Sequence, residues 1–233
     1  MKNNFALIIT LLFINFTFGQ NWENKSELCV INILGAKVYE KPTFESKILT
    51  DLPVGENIIV EKLIDTNEKL KIANGFSLDG NWVKPEKING FIFSSNLTDK
   101  KAEIGQSKHG QTFINLLGKL TDKKQEKKLI KTDNGEFPKY FEYIYYENGT
   151  YTYTSWDGCF DHVTEYKNLT LSEVYHQMVS DYGGLMGEKD FWKPIFQERT
   201  EDTLKFEGEG ATEDLKIEIK GNGIIVVSSY DCT

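Results

Sequence analysis

Arginine is almost absent from this chain: of its 27 basic residues only Arg199 is arginine, and 35 acidic residues leave a formal charge of −8. Nucleic-acid recognition draws on a positive field and on bidentate guanidinium forks, so both the sign of the charge and the residue type argue against a nucleic-acid partner. Histidine is as scarce, with only His109, His162 and His176. No two of them are spaced as metal ligands on one element, so neither a zinc site nor any cofactor is expected. There are three cysteines, Cys29, Cys159 and Cys232, and only five prolines. With 39% hydrophobic and 27% charged residues, the remaining composition is that of a globular chain.

One apolar run stands out, from Phe5 to Phe18 behind Lys2, interrupted only by Thr10, Asn15 and Thr17. It is too short, and too soon followed by polar residues, for a comfortable membrane span. Small residues at Thr17 and Gly19 predict a signal peptide over 1–19, cleaved before Gln20, with a retained anchor as the alternative. No cysteine directly follows the run, so lipid attachment is not expected. The mature chain is then secreted or periplasmic, and it meets a membrane only through the signal peptide. In an oxidising compartment a disulfide is expected. Cys159 with Cys232 would tie an internal turn to the last strand of the same half, while Cys29 in "LCVINIL" reads as a buried thiol; spacing alone leaves the other pairings open.

Periodicity lapses near "LTDKKAEIGQSKHGQ", residues 97–111, where charges, Gly and Ser take over and a linker over 100–111 is expected. Before it, residues 28–99 read as short strands separated by turn signals: "ELCVINIL", "AKVYEKP", "SKILTDL", "ENIIVEKLI", "NWVKP" and "GFIFSS". Strands this dense, with no amphipathic helix among them, predict a small all-β barrel or sandwich.

The stretch "AKVYEKPTFESKILTDLPVGENIIVEKL" followed by "NWVKPEKINGFIFSSNL" resembles the bacterial SH3-like domain. Val38, Pro42, Ile48, Leu52, Gly55, Trp82, Gly90, Ile92 and Leu97 fall on positions of its pattern. Two departures stand beside the match: Tyr39-Glu40-Lys41-Pro42 replaces the usual Arg-Ser-Gly-Pro, and "DTNEKLKIANGFSLDG" lengthens the loop or hairpin before Trp82. The resemblance implies an SH3-like barrel with Ile92 in its core. Strand alternation then sends Phe91 and Phe93 to the opposite face, where Trp82 and Tyr39 could join them. Tyr39, Trp82, Phe91 and Phe93 are therefore the expected ligand-binding surface, aromatic area of the kind used to hold peptides or glycans. The alternative is that some of these rings pack against the second domain.

The second domain, 112–233, reads as α+β, an antiparallel sheet with one packed helix, and resembles no family. Asn148-Gly149 inside "KYFEYIYYENGTYTYTSW" predicts a type I′ hairpin, and Gly221-Asn222-Gly223 a second hairpin turn. "TLSEVYHQMVSDYGG" predicts a helix, with Thr170 and Glu173 in capping-box spacing and Gly183-Gly184 as its stop. Leu171, Val174, Tyr175, Met178 and Tyr182 form its packing stripe, and His176 falls on its polar side.

Bacterial SH3-like domains often accompany cell-wall hydrolases, so the resemblance also raises catalysis. A Cys159 nucleophile would need a histidine on a later strand, yet none follows His176, and acids such as Glu188 and Asp190 read as ordinary loop charges. The expectation is therefore a mainly β, exported, non-catalytic protein that holds an envelope peptide, a glycan or a protein partner. A cell-wall hydrolase with an unrecognised catalytic C-terminal domain is the alternative.

Overall fold

The computed structural model describes residues 22–108, 110–132, 135–186 and 190–232. The predicted signal peptide, His109 and Glu188 lie outside the described residues. The fold is mainly β, built of antiparallel sheets with one α-helix among the described residues.

The first half contains β1 (Glu27–Val30), β2 (Ala36–Tyr39), β3 (Ile48–Leu52), β4 (Asn57–Ile64), β5 (Lys69–Ala73), β6 (Phe76–Asp79), β7 (Trp82–Pro85), β8 (Ile92–Phe93) and β9 (Leu97–Thr98). A five-stranded sheet runs β8-β7-β4-β1-β9, and β2-β3 and β5-β6 form separate hairpins. A bridge between Tyr39 and Phe91 laces β2 to the start of β8. Gly90 permits that approach: it sits at φ +138, and a Cβ there would lie 2.6 Å from the Val38 side chain. Alternation along β1, β2 and β4 sends Leu28, Val30, Val38, Ile58 and Val60 inward, where they meet the fully buried Ile92.

Strands β10 (Glu103–Gln106) and β11 (Thr112–Asn115) pair as a hairpin, so the segment expected to be a linker carries a strand. Next come β12 (Leu120–Thr132), β13 (Gly135–Tyr146), β14 (Gly149–Trp156), β15 (Cys159–Lys167), helix α1 (Leu171–Tyr182), β16 (Gly184–Met186), β17 (Asp190–Trp192), β18 (Ile195–Arg199), β19 (Thr203–Glu207), β20 (Thr212–Gly221) and β21 (Ile224–Cys232). The main sheet has eight strands in the order β12-β13-β14-β15-β21-β20-β19-β18. At its centre β15 and β21 pair with Cys159 opposite Cys232, and these two cysteines form a disulfide. Chain entropy alone gives such a crosslink about 4 kcal/mol for the 73-residue separation. Cys29 is the free thiol, half-buried, and burial pushes its pKa up.

Helix α1 starts and stops as its sequence predicts. Thr170 accepts from the Glu173 backbone, Glu173 returns the bond to Thr170, and Gly183 is the C-cap. Val174, Tyr175, Met178 and Val179 pack on the sheet. The predicted polar side is buried too, His176 included, because the helix lies between the sheet and the first half of the chain. Glu173 accepts from Thr98, and Gln177 and Ser180 satisfy the backbone of Ile114 and Leu116. A side with hydrogen-bonding groups at regular helical spacing is here a second packing face, not a solvated one.

Hydrophobic burial also crosses the expected domain boundary. Ile31 and the β6 residues Phe76 and Leu78 belong to one apolar cluster with Val174, Met178 and Ile217. The Phe76 ring stands 5.4 Å from Tyr175 and 5.3 Å from Phe196.

Candidate functional site

The four aromatic residues expected to form a binding surface are close together but do not form one. Trp82 is 0% exposed and Phe93 1%, so both are interior; Tyr39 and Phe91 are half-buried. Phe44 closes the arrangement, with its ring centroid 4.8 Å from both Trp82 and Phe93 and 5.8 Å from Tyr39. The Trp82 indole donates to Glu68 at 2.7 Å, and Thr43 donates to the other oxygen of the same carboxylate at 2.8 Å. Strand alternation correctly puts Phe93 opposite Ile92, but the segments around Pro42 and around Glu68, where the chain departs from the SH3-like pattern, cover that face. A ring cluster capped by its own chain is a second small core.

A cleft of about 500 Å³ opens elsewhere, over the main sheet beside the C-terminal end of α1. Strand geometry assembles it. Along β15 the side chains of His162, Thr164 and Tyr166 share one face, and the ladders place His162 opposite Tyr153 on one side and Ser229 on the other. Tyr151 joins from β14, Asp231 from β21, and Gln177, Asp181 and Tyr182 from α1.

Hydrogen bonds fix several of these groups. Tyr151 Oη lies 2.7 Å from His162 Nδ1, and Tyr182 Oη 3.0 Å from Ser229 Oγ. Gln177 donates to Asp181 at 2.9 Å while also holding the Ile114 carbonyl at 2.9 Å, which ties the helix end to β11. On its other side His162 Nε2 stands 3.6 Å from Asp231 Oδ1, beyond hydrogen-bonding reach. Asp231 Oδ1 is enclosed and has no hydrogen-bond partner among the described residues.

Burial dominates the electrostatics. It pushes the Tyr151 and Tyr182 phenols up to about 12, so both stay neutral near pH 7. Asp181 is open to solvent on the cleft side but walled by protein on the others, and this desolvation pushes its carboxyl up to about 7 against the lowering hydrogen bonds from Gln177 and Tyr166. Among the described residues neither Lys nor Arg lines the cleft, and no group of His, Cys, Asp and Glu is arranged to hold a metal ion.

Cys159-x-x-His162 places His162 near Cys159 along the chain, but not with its structural partners. Its partners lie across strands, and one signal for them was available. Pairing Cys159 with Cys232 in an antiparallel ladder sets His162 opposite Ser229 and brings Asp231 to the same face two residues on. Asp181 and Tyr182 had no such signal, since only packing decides where the end of a helix points. No known protein family, curated protein or solved structure matches the chain.

Proposed function

We propose that this chain is an exported, non-catalytic binding protein whose first half is an SH3-like barrel and whose ligand seat is the cleft over the main sheet. The observation that carries the reading is the convergence of polar side chains from β14, β15, β21 and α1 on one concavity, where Asp231 Oδ1 is enclosed without a donor. Concave sites with a few convergent polar groups among apolar and aromatic walls are the usual form of a small-ligand site. Binding rather than turnover is favoured by the chemistry of the candidate nucleophiles. Cys159 is held in a disulfide, and the phenols have no reason to ionise near neutral pH. Export and an envelope peptide or glycan as ligand rest on the N-terminal sequence and on the SH3-like resemblance.

A hydrolase is the second reading, favoured by Asp181, a cleft carboxyl whose affinity for a proton suits general acid-base work near neutrality. Soluble envelope fragments titrated into the mature protein, followed by NMR and by product analysis, separate the readings. Binding without product is expected, lost in His162→Ala and retained in Phe91→Ala. Product formation abolished by Asp181→Asn supports the hydrolase, and binding that survives His162→Ala but not Phe91→Ala returns the ligand to the barrel.

A further inference from the structure

Two carboxyls, Asp181 and Asp231, line the cleft. Asp231 Oδ1 receives no hydrogen bond, and Asp181 receives Gln177 and Tyr166 on a carboxylate with room for further donors. Two of the hydroxyls are already used on each other, Tyr182 with Ser229, and a third, Tyr151, is used on the His162 imidazole. No lysine or arginine among the described residues lines the cavity, and the basic side chain beside its carboxyls is His162, whose Nε2 stands 3.6 Å from Asp231 Oδ1. Elsewhere in this chain the acids do find such partners: Glu142 has Lys123 at 2.8 Å, and Glu198 has Lys205 at 2.7 Å. The Phe113, Tyr146 and Tyr151 rings add walls whose faces attract a cation.

Resting on the reading of the cleft as the ligand seat, we propose that its ligand carries a primary ammonium group, seated between Asp181 and Asp231. An ammonium supplies three donors and a positive charge in one compact group, whereas an anionic ligand meets two acidic side chains with neither lysine nor arginine beside them. A neutral hydroxylated ligand can satisfy the acceptors but leaves the charge unanswered. The cavity, about 500 Å³, has room for a frame the size of a sugar ring or a short diamine beyond the ammonium.

The experiment titrates the mature protein with glucosamine and 1,5-diaminopentane, and with N-acetylglucosamine and 1,5-pentanediol as uncharged counterparts. The readouts are the His162 ring resonances and the melting temperature. Both amines are expected to shift the His162 signals and raise the melting temperature, with the uncharged compounds at least about tenfold weaker. Asp181→Asn and Asp231→Asn should each weaken the amines by about tenfold, the usual consequence of losing a hydrogen bond to a charged group. Uncharged compounds that bind the cleft as well as the amines overturn the ammonium assignment and leave the cleft as a ligand seat. If neither the four probes nor envelope fragments perturb His162, the cleft itself is not the seat, and this assignment falls with it.

Discussion

Two titratable groups with opposite pH behaviour sit on helix α1, His176 fully buried and Asp181 open to the cleft. His176 is enclosed between α1 and the 3-10 turn Ser94–Asn96, with its ring donating to the Ser95 backbone, Tyr175 at its edge and the charge of Lys193 nearby. Desolvation pulls its pKa from 6.5 to about 4. The unfolded chain therefore takes up a proton at this residue below about 6.5 while the folded chain does not, and stability is lost as pH falls from there toward 4. Because His176 is fully buried, the shift corresponds to a loss on the order of 3 kcal/mol once pH passes below the folded value. Asp181 acts the other way: it keeps its proton up to about 7 in the folded chain against 3.8 when unfolded, so its contribution is present at low pH and is lost as pH rises through that window. Urea midpoints at pH 4.5, 6 and 7.5 should show a smaller acid loss in His176→Asn and a smaller decline toward pH 7.5 in Asp181→Asn. Slopes unchanged from the parent in both variants would show that neither group is desolvated as described.

At the scale of elements, local signals were reliable where one residue type meets one backbone requirement. Thr170 and Glu173 start α1, Gly183 ends it, and Gly221-Asn222-Gly223 turns β20 into β21 with all three residues at positive φ. Asn148-Gly149 does something different from a type I′ turn. The two-residue loop between β13 and β14 is Glu147-Asn148, neither at positive φ, and their backbone groups bond to Lys119 and Leu117. Gly149 is already in the strand, and a Cβ there would lie 2.1 Å from the Glu165 carbonyl oxygen and 2.8 Å from the Leu117 side chain. This glycine answers to a neighbouring strand, which no turn rule can see. Gly149→Ala is accordingly expected to destabilise the protein by more than about 2 kcal/mol, since backbone cannot give way as a side chain can. A chemical-denaturation midpoint equal to that of the parent would remove the steric argument.

The whole molecule is organised by a hairpin that the sequence marked as a lengthened loop or hairpin before Trp82. Strands β5 and β6 leave the first half and set Phe76 and Leu78 into the apolar cluster under α1, so the two halves bury part of their surface against each other. Phe76→Ala should cost about 3–5 kcal/mol, as expected for emptying a buried aromatic site. Because Phe76 touches Tyr175 and Phe206 from the other half, tryptophan fluorescence and circular dichroism should still report one coincident unfolding transition in the parent. Two separated transitions in the parent would mean that the halves unfold independently despite this contact.

What the sequence by itself determined was whatever depends on neighbours along the chain. It set the strand-rich character of both halves, the limits of α1, the turn at Gly221-Asn222-Gly223 and the placing of Ile92 and Phe93 on opposite sides of their strand. The Cys159–Cys232 disulfide was the expected pairing among those that spacing left open. Alternation gives the side of a strand on which a residue stands, but not what stands over that side. Only tertiary structure decided that Phe44 and Glu68 enclose Trp82 and Phe93, that the polar side of α1 faces protein, and that His162 meets Tyr151, Ser229 and Asp231 in a cleft. Each of these depends on the approach of segments far apart in sequence, and their contacts are set by the packing of sheet, helix and hairpin as solid bodies.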